Sequence, residues 1–248
     1  MRIRMPGFLP LAVVCLAGGT LSAASDPFVG KWKVNPSQSK LTDEMKVEAV
    51  GENKYAFTFG PGAVDTVVVD GTDQPALQGT TLAVTAEGPN NWRVVRKKDG
   101  KKIVMGVWTL SADGNTLDDA FTVYRPDGST ANVHYKYQRT AGTSGFPGTW
   151  DSVSAEIDAS IGLEIRPSGD NGLLLISPLV GGTQNVTFDG KDYQRVNERS
   201  LEITNKRDGR VRDIRQFEVS EDLKTLTVSI RAAGESKPQN ILVFDREP

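Results

Sequence analysis

The residue types that carry out enzymatic chemistry are scarce in this chain. His134 is the single histidine and Cys15 the single cysteine, which leaves little material for a catalytic triad or a thiolate site. No Gly-x-Ser-x-Gly elbow occurs, and the Ser-x-x-Lys match at Ser37–Lys40 lacks the Lys-Thr-Gly that accompanies it in enzymes. We therefore expect a protein that is not an enzyme, and the residues indicate no cofactor.

Asp118 and Asp119 are adjacent carboxylates, and carboxylate oxygens are ligands that Mg²⁺ and Ca²⁺ prefer. Neighbouring residues of a strand point to opposite faces, so we expect no shared metal site there. By the same alternation, His134 has the opposite parity from Tyr135 and is expected on the outer face of its strand. Acidic and basic residues nearly balance, with a formal net charge of −2, so no nucleic-acid partner is expected.

The first residues have the plan of a secretory leader. Arg2 and Arg4 precede the apolar run Phe8–Ala17, which is too short to span a bilayer. Small residues favour cleavage after Ala24, so residues 1–24 are predicted to be a signal peptide. The mature protein is then expected to be secreted or periplasmic, without stable membrane insertion. Because cleavage removes the cysteine, the mature chain needs a packed core in place of disulfides.

An aromatic-x-Gly-x-Trp pattern occurs twice, as FVGKW at Phe28–Trp32 and as FPGTW at Phe146–Trp150. Each occurrence is followed in the same order by matching turns and hydrophobic positions: Asp70-Gly71 with Asp189-Gly190, Lys98–Lys101 with Arg207–Arg210, Trp108 with Phe217, Thr116-Leu117 with Thr225-Leu226, and Tyr137–Arg139 with Phe244–Arg246. This order predicts a diverged duplication. We expect a first copy at residues 25–140, a flexible linker at 141–145 and a second copy at 146–248.

Within each copy the hydrophobic residues alternate with a period of two, which is typical of β-strands. Runs at 92–96 and 103–110 flank the turn Lys98-Asp99-Gly100, and Asp-Gly between two such runs is a strong hairpin signal. About eight or nine such runs in each copy predict an all-β fold of two tandem antiparallel barrels. Helix is expected only in short pieces, such as 36–44 and 155–160.

The ordered set of motifs resembles the calycins, which include the lipocalins, the fatty-acid-binding proteins and short bacterial lipocalin-like proteins. The first copy has Gly30–Trp32 on its first strand and Arg139 at the end of its last, and the second copy has Gly148–Trp150 and Arg246. The resemblance implies that the arginine lies across the tryptophan at the closed end of each barrel, where stacking satisfies both groups. It thus implies two structural pairs, Trp32 with Arg139 and Trp150 with Arg246.

The resemblance also implies a small hydrophobic or amphipathic ligand inside the barrels. Alternate residues of the last strand share the face of its arginine, so the aromatic residues on that face are candidates for a cavity wall. The candidate ligand-binding residues are Trp108, Tyr135 and Tyr137 in the first copy and Phe217, Leu242 and Phe244 in the second. Fatty-acid-binding proteins have an arginine where this chain has Tyr135 and Leu242, so a fatty-acid carboxylate anchor is not expected.

Two functions stay open on these residues. In the first, the barrels bind a small hydrophobic or amphipathic ligand. In the second, the same side chains fill narrow barrels, and the protein is a structural or interaction module. It would then contact an unidentified protein partner at the cell surface through loops and the basic hairpin tips 96–102 and 206–210. An open apolar cavity in either barrel would favour the first function.

Overall fold

The computed structural model describes residues 26–59, 64–177, 182–207 and 209–248. The expected signal peptide at 1–24 lies outside the described residues. Within the described ranges almost all regular structure is β-strand, with one 3-10 turn at Leu77–Gly79, and the all-β prediction is confirmed. The two short helices are not formed there. Residues 36–38 make a turn, and residues 155–157 extend a strand because a neighbouring strand takes up their backbone groups.

One sheet has ten strands and forms the first barrel. Its strands are β2 (Glu44–Gly51), β3 (Lys54–Phe59), β4 (Val64–Val68), β5 (Gln74–Ala76), β6 (Thr80–Gly88), β7 (Asn91–Lys98), β8 (Lys101–Leu110), β9 (Thr116–Tyr124), β10 (Thr130–Ala141) and β11 (Gly148–Ile157). All pairs are antiparallel, in the order β4-β3-β2-β11-β10-β9-β8-β7-β6-β5. The Gln74 side chain bonds the Val68 backbone N–H and C=O at 2.8 and 2.7 Å, which joins the two edge strands and nearly closes the barrel.

The other sheet has nine strands and forms the second barrel. Its strands are β1 (Gly30–Val34), β12 (Gly162–Pro167), β13 (Gly172–Ser177), β14 (Gly182–Thr187), β15 (Tyr193–Asn197), β16 (Ser200–Arg207), β17 (Arg210–Val219), β18 (Thr225–Ala232) and β19 (Asn240–Arg246). It too is antiparallel and nearly closed, in the order β14-β13-β12-β1-β19-β18-β17-β16-β15. The tandem-barrel architecture predicted from the alternation is therefore present.

The two copies exchange their first strands. Strand β1, which begins the first copy, lies between β12 and β19 of the second barrel, with Trp32 opposite Leu163 and Arg246. Strand β11, which begins the second copy, lies between β10 and β2 of the first barrel, with Trp150 opposite Arg139. The first barrel is thus built from residues 44–157, which differs from the expected division at 141–145.

The exchange decides the partners of the two tryptophans. The Arg246 guanidinium lies over the Trp32 ring at 4.0 Å, and the Arg139 guanidinium over the Trp150 ring at 4.1 Å. Stacking of arginine on tryptophan is as expected, but each pair joins one copy to the other. The expected pairing within a copy differs from this arrangement because the last strand of each copy meets the first strand of the other.

The glycine of each Gly-x-Trp motif makes room for that arginine. A Cβ at Gly30 would lie 2.7 Å from the Arg246 Nη1 atom, and one at Gly148 would lie 2.5 Å from the Ala141 carbonyl and 2.7 Å from Arg139 Nη1. All three distances are below about 3.0 Å, closer than a Cβ atom comes to another heavy atom in proteins. In the repeated motif, the glycine therefore leaves room for the guanidinium that stacks on the indole at the start of the strand.

The two barrels have different interiors. The first is the richer in aromatic side chains, which include Phe57, Trp92, Trp108, Phe146 and Trp150. The second is filled mainly by aliphatic residues, with Ile165, Leu173, Leu201, Ile203 and Leu226 all nearly inaccessible. Residues of β10 and β11 in the first barrel, among them Val133 and Ile157, pack against the core of the second. The crossovers between β1 and β2 and between β11 and β12 pass from one barrel to the other.

Candidate functional site

A cavity of about 360 Å³ lies inside the first barrel, in the size range of small-molecule sites. Its apolar wall is formed by Phe59, Leu82, Val94, Val104 and Phe121. Six polar or amphipathic side chains complete it: Asp43, Arg96, Trp108, Asp119, Tyr135 and Tyr137. An apolar pocket with a few convergent polar groups is the usual form of a ligand site.

Register brings the polar side chains together. Asp119 on β9 is directly opposite Trp108 on β8 and Tyr135 on β10, so the three share one row across the sheet. Tyr137 follows two residues along β10 and therefore points the same way, opposite the buried Leu117. The row exists because the strand register places inward-facing positions of β8, β9 and β10 directly opposite one another.

Asp119 is a buried carboxylate with an unused oxygen. Its side chain is 8% exposed, and its Oδ1 atom has no hydrogen-bond partner among the described residues. Burial raises the pKa of Asp119 to about 7, a hydrogen bond from the Trp108 indole works in the opposite direction, and the nearby Asp43 charge adds to the rise. The absence of a side chain at Gly106 lets Asp119 approach β8, since a Cβ there would lie 3.1 Å from Oδ1.

Asp43 brings a second carboxylate to the cavity from the crossover between β1 and β2. The Tyr137 hydroxyl donates to Asp43 Oδ2 at 2.9 Å, and the Asp43 backbone N–H donates to the Ser152 hydroxyl at 2.7 Å. Burial raises the pKa of Asp43, while the Tyr137 hydrogen bond partly offsets that rise. Burial and the two carboxylates raise the pKa of both Tyr135 and Tyr137, so these phenols stay protonated.

Arg96 is the cationic residue of the lining, and its charge is already balanced. Its Nη2 atom bonds Asp65 Oδ2 at 2.5 Å and its Nη1 atom bonds the Thr80 hydroxyl at 2.9 Å. The Asp65 side chain is 1% exposed, and it also accepts from the Leu77 backbone N–H at 2.7 Å. This buried pair leaves Asp43 and Asp119 as the unbalanced charges of the lining.

Aromatic faces surround the carboxylates. Phe59 meets Trp108 edge to face at 6.1 Å between ring centroids, and Phe121 stacks with Tyr135 at 6.2 Å. Tyr135 and Tyr137 are 5.6 Å apart. The cavity thus offers flat apolar surfaces beside two anionic groups, a combination that suits an amphipathic guest.

The equivalent row of the second barrel carries no carboxylate. Val228 is opposite Phe217 and Leu242 there, as Asp119 is opposite Trp108 and Tyr135 in the first barrel. The other equivalents are also apolar, since Phe244 replaces Tyr137 and Ile161 replaces Asp43. The Ile161 carbonyl accepts from the Val34 backbone N–H, two residues after Trp32, just as the Asp43 carbonyl accepts from the residue two after Trp150. These side chains are buried or half-buried and pack into the second core.

In the second barrel an ion-pair network stands at the position equivalent to Gly106. Arg215 stands where the first barrel has Gly106, and its Nε atom bonds Asp213 Oδ1 at 2.8 Å. Asn205 and Arg212 bond the same carboxylate at 2.7 and 2.8 Å. Burial alone would raise the pKa of Asp213, but these partners hold it below its usual value. Asp213 is fully partnered, in contrast to Asp119.

The candidate residues from the sequence fall into two groups. Trp108, Tyr135 and Tyr137 lie together on the wall of the first cavity. Phe217, Leu242 and Phe244 occupy the equivalent places in the second core. Asp43, Asp119, Gly106 and Arg96 were not assigned to a ligand site from the sequence. A signal for Asp119 was available, because it shares the parity of Leu117 and Phe121, whose side chains point inward.

Asp118 and His134 lie on the outer face, as the alternation predicts. The His134 Nε2 atom is 3.2 Å from Asp118 Oδ1, and both side chains are about 40% exposed. The adjacent carboxylates therefore point away from each other. Among the residues that the structure describes, no group of three or more His, Cys, Asp or Glu side chains is arranged for a metal ion.

No helix in the described part of the chain is long and apolar enough to cross a membrane. No protein-family model matches the chain, and no curated protein sequence matches it either. The arrangement of the site is therefore the ground for a functional proposal.

Proposed function

We propose that this chain is a lipocalin-like, non-enzymatic binding protein that holds one small amphipathic ligand in the cavity of the first barrel. The observation that carries the proposal is the buried Asp119 carboxylate, which lines a cavity walled by aromatic side chains and has one oxygen, Oδ1, without a partner among the described residues. A carboxylate buried without a partner is costly, and a ligand that supplies the missing partner removes the cost.

The second barrel supports this reading as an internal comparison. It has the same strand register, but valine, leucine, phenylalanine and isoleucine replace the polar row. If the row served only to pack the barrel interior, apolar side chains could fill it in the first barrel as they do in the second. We therefore assign ligand binding to the first barrel and a supporting role to the second.

The lipocalin-like assignment rests on the nearly closed antiparallel barrels and on the arginine stacked across each Gly-x-Trp strand. The signal peptide predicted at 1–24 supports export, so in this proposal the protein is secreted or periplasmic. Binding is favoured over catalysis because the single histidine is paired with Asp118 on the outer face, away from the cavity.

The alternative function, contact with a partner through the basic hairpin tips, is less well supported. Several of the cations at these tips already have acidic neighbours. Arg96 is paired with Asp65, Lys97 Nζ lies 2.7 Å from Asp73, and Lys206 Nζ lies 2.7 Å from Asp192. Such pairs reduce the net field that a tip presents to a partner.

Binding of the neutral dye N-phenyl-1-naphthylamine tests the proposal. We expect dye fluorescence to rise on addition of the protein, with energy transfer from Trp108 and saturation at a single site. Gly106→Leu places a side chain in the cavity and should weaken dye binding by roughly tenfold or more. Val107→Leu is the matched control, because Val107 is on the outer face of the same strand and is 37% exposed.

Far-ultraviolet circular dichroism establishes that both variants are folded. If Gly106→Leu is folded and binds the dye as tightly as Val107→Leu does, the dye is not in the first barrel and the proposal is overturned. A wild-type protein that binds no dye and none of the naphthalene probes described below would overturn it as well.

A further inference from the structure

The cavity has a chemical bias that goes beyond binding of an amphipathic molecule. Asp119 Oδ1 has no hydrogen-bond partner among the described residues, although its side chain is more than nine-tenths buried. Buried carboxylates in proteins are paired with a cation or saturated by donors. A ligand that completes this site would present a donor to the Asp119 carboxylate.

The charges of the lining favour a donor that is also a cation. Asp43 and Asp119 lie close enough for each charge to act on the same groups, since both raise the pKa of Tyr135 and Tyr137. Arg96 does not neutralise them, because its guanidinium is engaged by Asp65. Two buried carboxylates attract positive charge more strongly than they would in bulk water, because the effective dielectric constant around them is lower.

Hydrogen-bond directions around the cavity point the same way. The Tyr137 hydroxyl donates its hydrogen bond to Asp43, so its oxygen lone pairs remain to accept a hydrogen bond from a ligand. The faces of Trp108, Phe59 and Tyr135 add favourable cation–π surface, with Trp the strongest partner of the three. Beyond them the aliphatic and aromatic wall accommodates an apolar body.

We propose that the first barrel binds an organic cation, a protonated amine on an apolar or aromatic body, whose ammonium group pairs with Asp119. The inference rests on the binding function proposed above and names its ligand class. An anionic ligand would have to face two carboxylates. A neutral ligand would leave the charge of the Asp119 carboxylate uncompensated.

Three naphthalenes that share the ring and differ in a small substituent test the ligand class directly: 1-naphthylmethylamine, 1-naphthalenemethanol and 1-naphthoic acid. At about pH 8 the first is a cation, the second neutral and the third an anion. We expect isothermal titration calorimetry on the full mature chain to show that the amine binds roughly tenfold or more tightly than the alcohol, and the acid more weakly than the alcohol.

The variant Asp119→Asn keeps the shape of the site and removes the charge. It should abolish the preference for the amine while the alcohol still binds. Asp118→Asn is the matched control on the outer face of the same strand, and it should keep the wild-type preference. Because a buried unpaired charge is removed, Asp119→Asn is expected to fold at least as well as wild type.

A second readout is proton release. The ammonium group stabilises the carboxylate form of Asp119, so binding of the amine near pH 7 should release protons, seen as a dependence of the binding enthalpy on the ionisation enthalpy of the buffer. The groups that face Asp119 are Trp108 from β8, Tyr135 and Tyr137 from β10, Asp43 from the crossover and Arg96 from β7. Of these, Asp43 is the other group whose titration could contribute, and Asp43→Asn separates the two.

The outcomes distinguish the two proposals. Equal binding of amine and alcohol by the wild type, or tighter binding of the acid, overturns the cation inference and leaves the binding function standing. An amine preference that survives in Asp119→Asn also overturns it. If no naphthalene and no neutral dye binds, both the function and the inference fail.

Discussion

The guanidinium of Arg246 is stacked on the indole of Trp32, at 4.0 Å from the ring centroid, although the two residues come from opposite ends of the described chain. Arg246 also donates from Nε to the Leu223 carbonyl at 2.6 Å, from Nη1 to the Val29 carbonyl at 2.8 Å, and from Nη2 to the Pro27 carbonyl. One side chain thus ties the start of the chain to the end of its last strand.

Arg139 does the same in the first barrel. It stacks on Trp150 and donates to the carbonyls of Gly114, Pro147 and Gly145 at 2.7, 2.7 and 2.5 Å. The indole N–H of Trp150 donates to the Phe146 carbonyl at 3.0 Å, which matches the Trp32 bond to Phe28 at 2.9 Å. Each clamp fastens the first strand of one copy into the barrel of the other.

Removal of the Trp150 side chain is expected to destabilise the barrel that contains the cavity. Trp150 is fully buried, so Trp150→Ala should lower the free energy of unfolding by about 3–5 kcal/mol and weaken ligand binding with it. Trp32→Ala should lower the free energy of unfolding by a similar amount, but it should destabilise the second barrel and not the first. Chemical denaturation monitored by dye binding distinguishes the two variants, because the dye reports on the first barrel.

The control for that experiment is Val153→Ala, on the outer side of the same strand as Trp150, where the side chain is 62% exposed. It should change stability by no more than about 0.5 kcal/mol. A Trp150→Ala protein that unfolds with the wild-type midpoint would contradict the assignment of β11 to the first barrel.

Fragments of the chain should reveal the strand exchange. Residues 42–158 contain all ten strands of the first barrel, whereas residues 25–140 lack β11 and carry β1 in its place. Strand β1 has five residues and β11 has ten, so β1 cannot cover the edge of β10 that β11 covers. We expect the 42–158 fragment to give a cooperative unfolding transition and to bind the dye.

The 25–140 fragment is expected to unfold at lower denaturant concentration or to form an exchanged dimer, visible by size-exclusion chromatography. Equal stability of the two fragments as monomers would mean that the exchange contributes nothing to the first barrel.

The stability of the protein should depend on pH through Asp119. Because burial raises the pKa of this carboxyl from 3.8 to about 7, the folded state binds its proton more tightly than the unfolded state does. The contribution of this group to stability is therefore complete below about pH 4 and is lost as pH rises towards 7, by up to about 4 kcal/mol. Urea unfolding at intervals between about pH 5 and pH 8 measures the slope.

Asp119→Asn should flatten that slope and raise the unfolding free energy at about pH 8, while Asp118→Asn should leave the slope as it is. If the slope persisted unchanged in Asp119→Asn, another group would have to be its source.

The glycines of the Gly-x-Trp motif should tolerate no side chain. Gly148→Ala brings its Cβ within 2.5 Å of the Ala141 carbonyl, so backbone has to shift, and we expect a loss of more than about 1 kcal/mol of stability. Gly128→Ala serves for comparison, because Gly128 has a φ of +85° but nothing within 4 Å of the added carbon. Thermal unfolding of both proteins should show the larger decrease for Gly148→Ala.

Several features of the site follow from alternation along single strands. The shared parity of Tyr135 and Tyr137 and the outward position of His134 and Asp118 could be read from the sequence, because the side-chain period of a strand is invariant. That Asp119 lacks a partner inside the barrel could not be predicted from the sequence. Whether an inward carboxylate meets a partner or an open space depends on residues of other strands, here Gly106 in the first barrel and Arg215 at the equivalent position of the second.

By itself, the sequence determined that the chain is all-β, that it contains two related units, and that each unit has a tryptophan strand and a terminal arginine. It did not determine which strand completes which barrel. The two copies share the same Phe-x-Gly-x-Trp pattern, so local preference does not distinguish the two segments. Only the tertiary structure decides, through strand length and the crossovers, and the same crossover delivers Asp43 to the cavity of the first barrel.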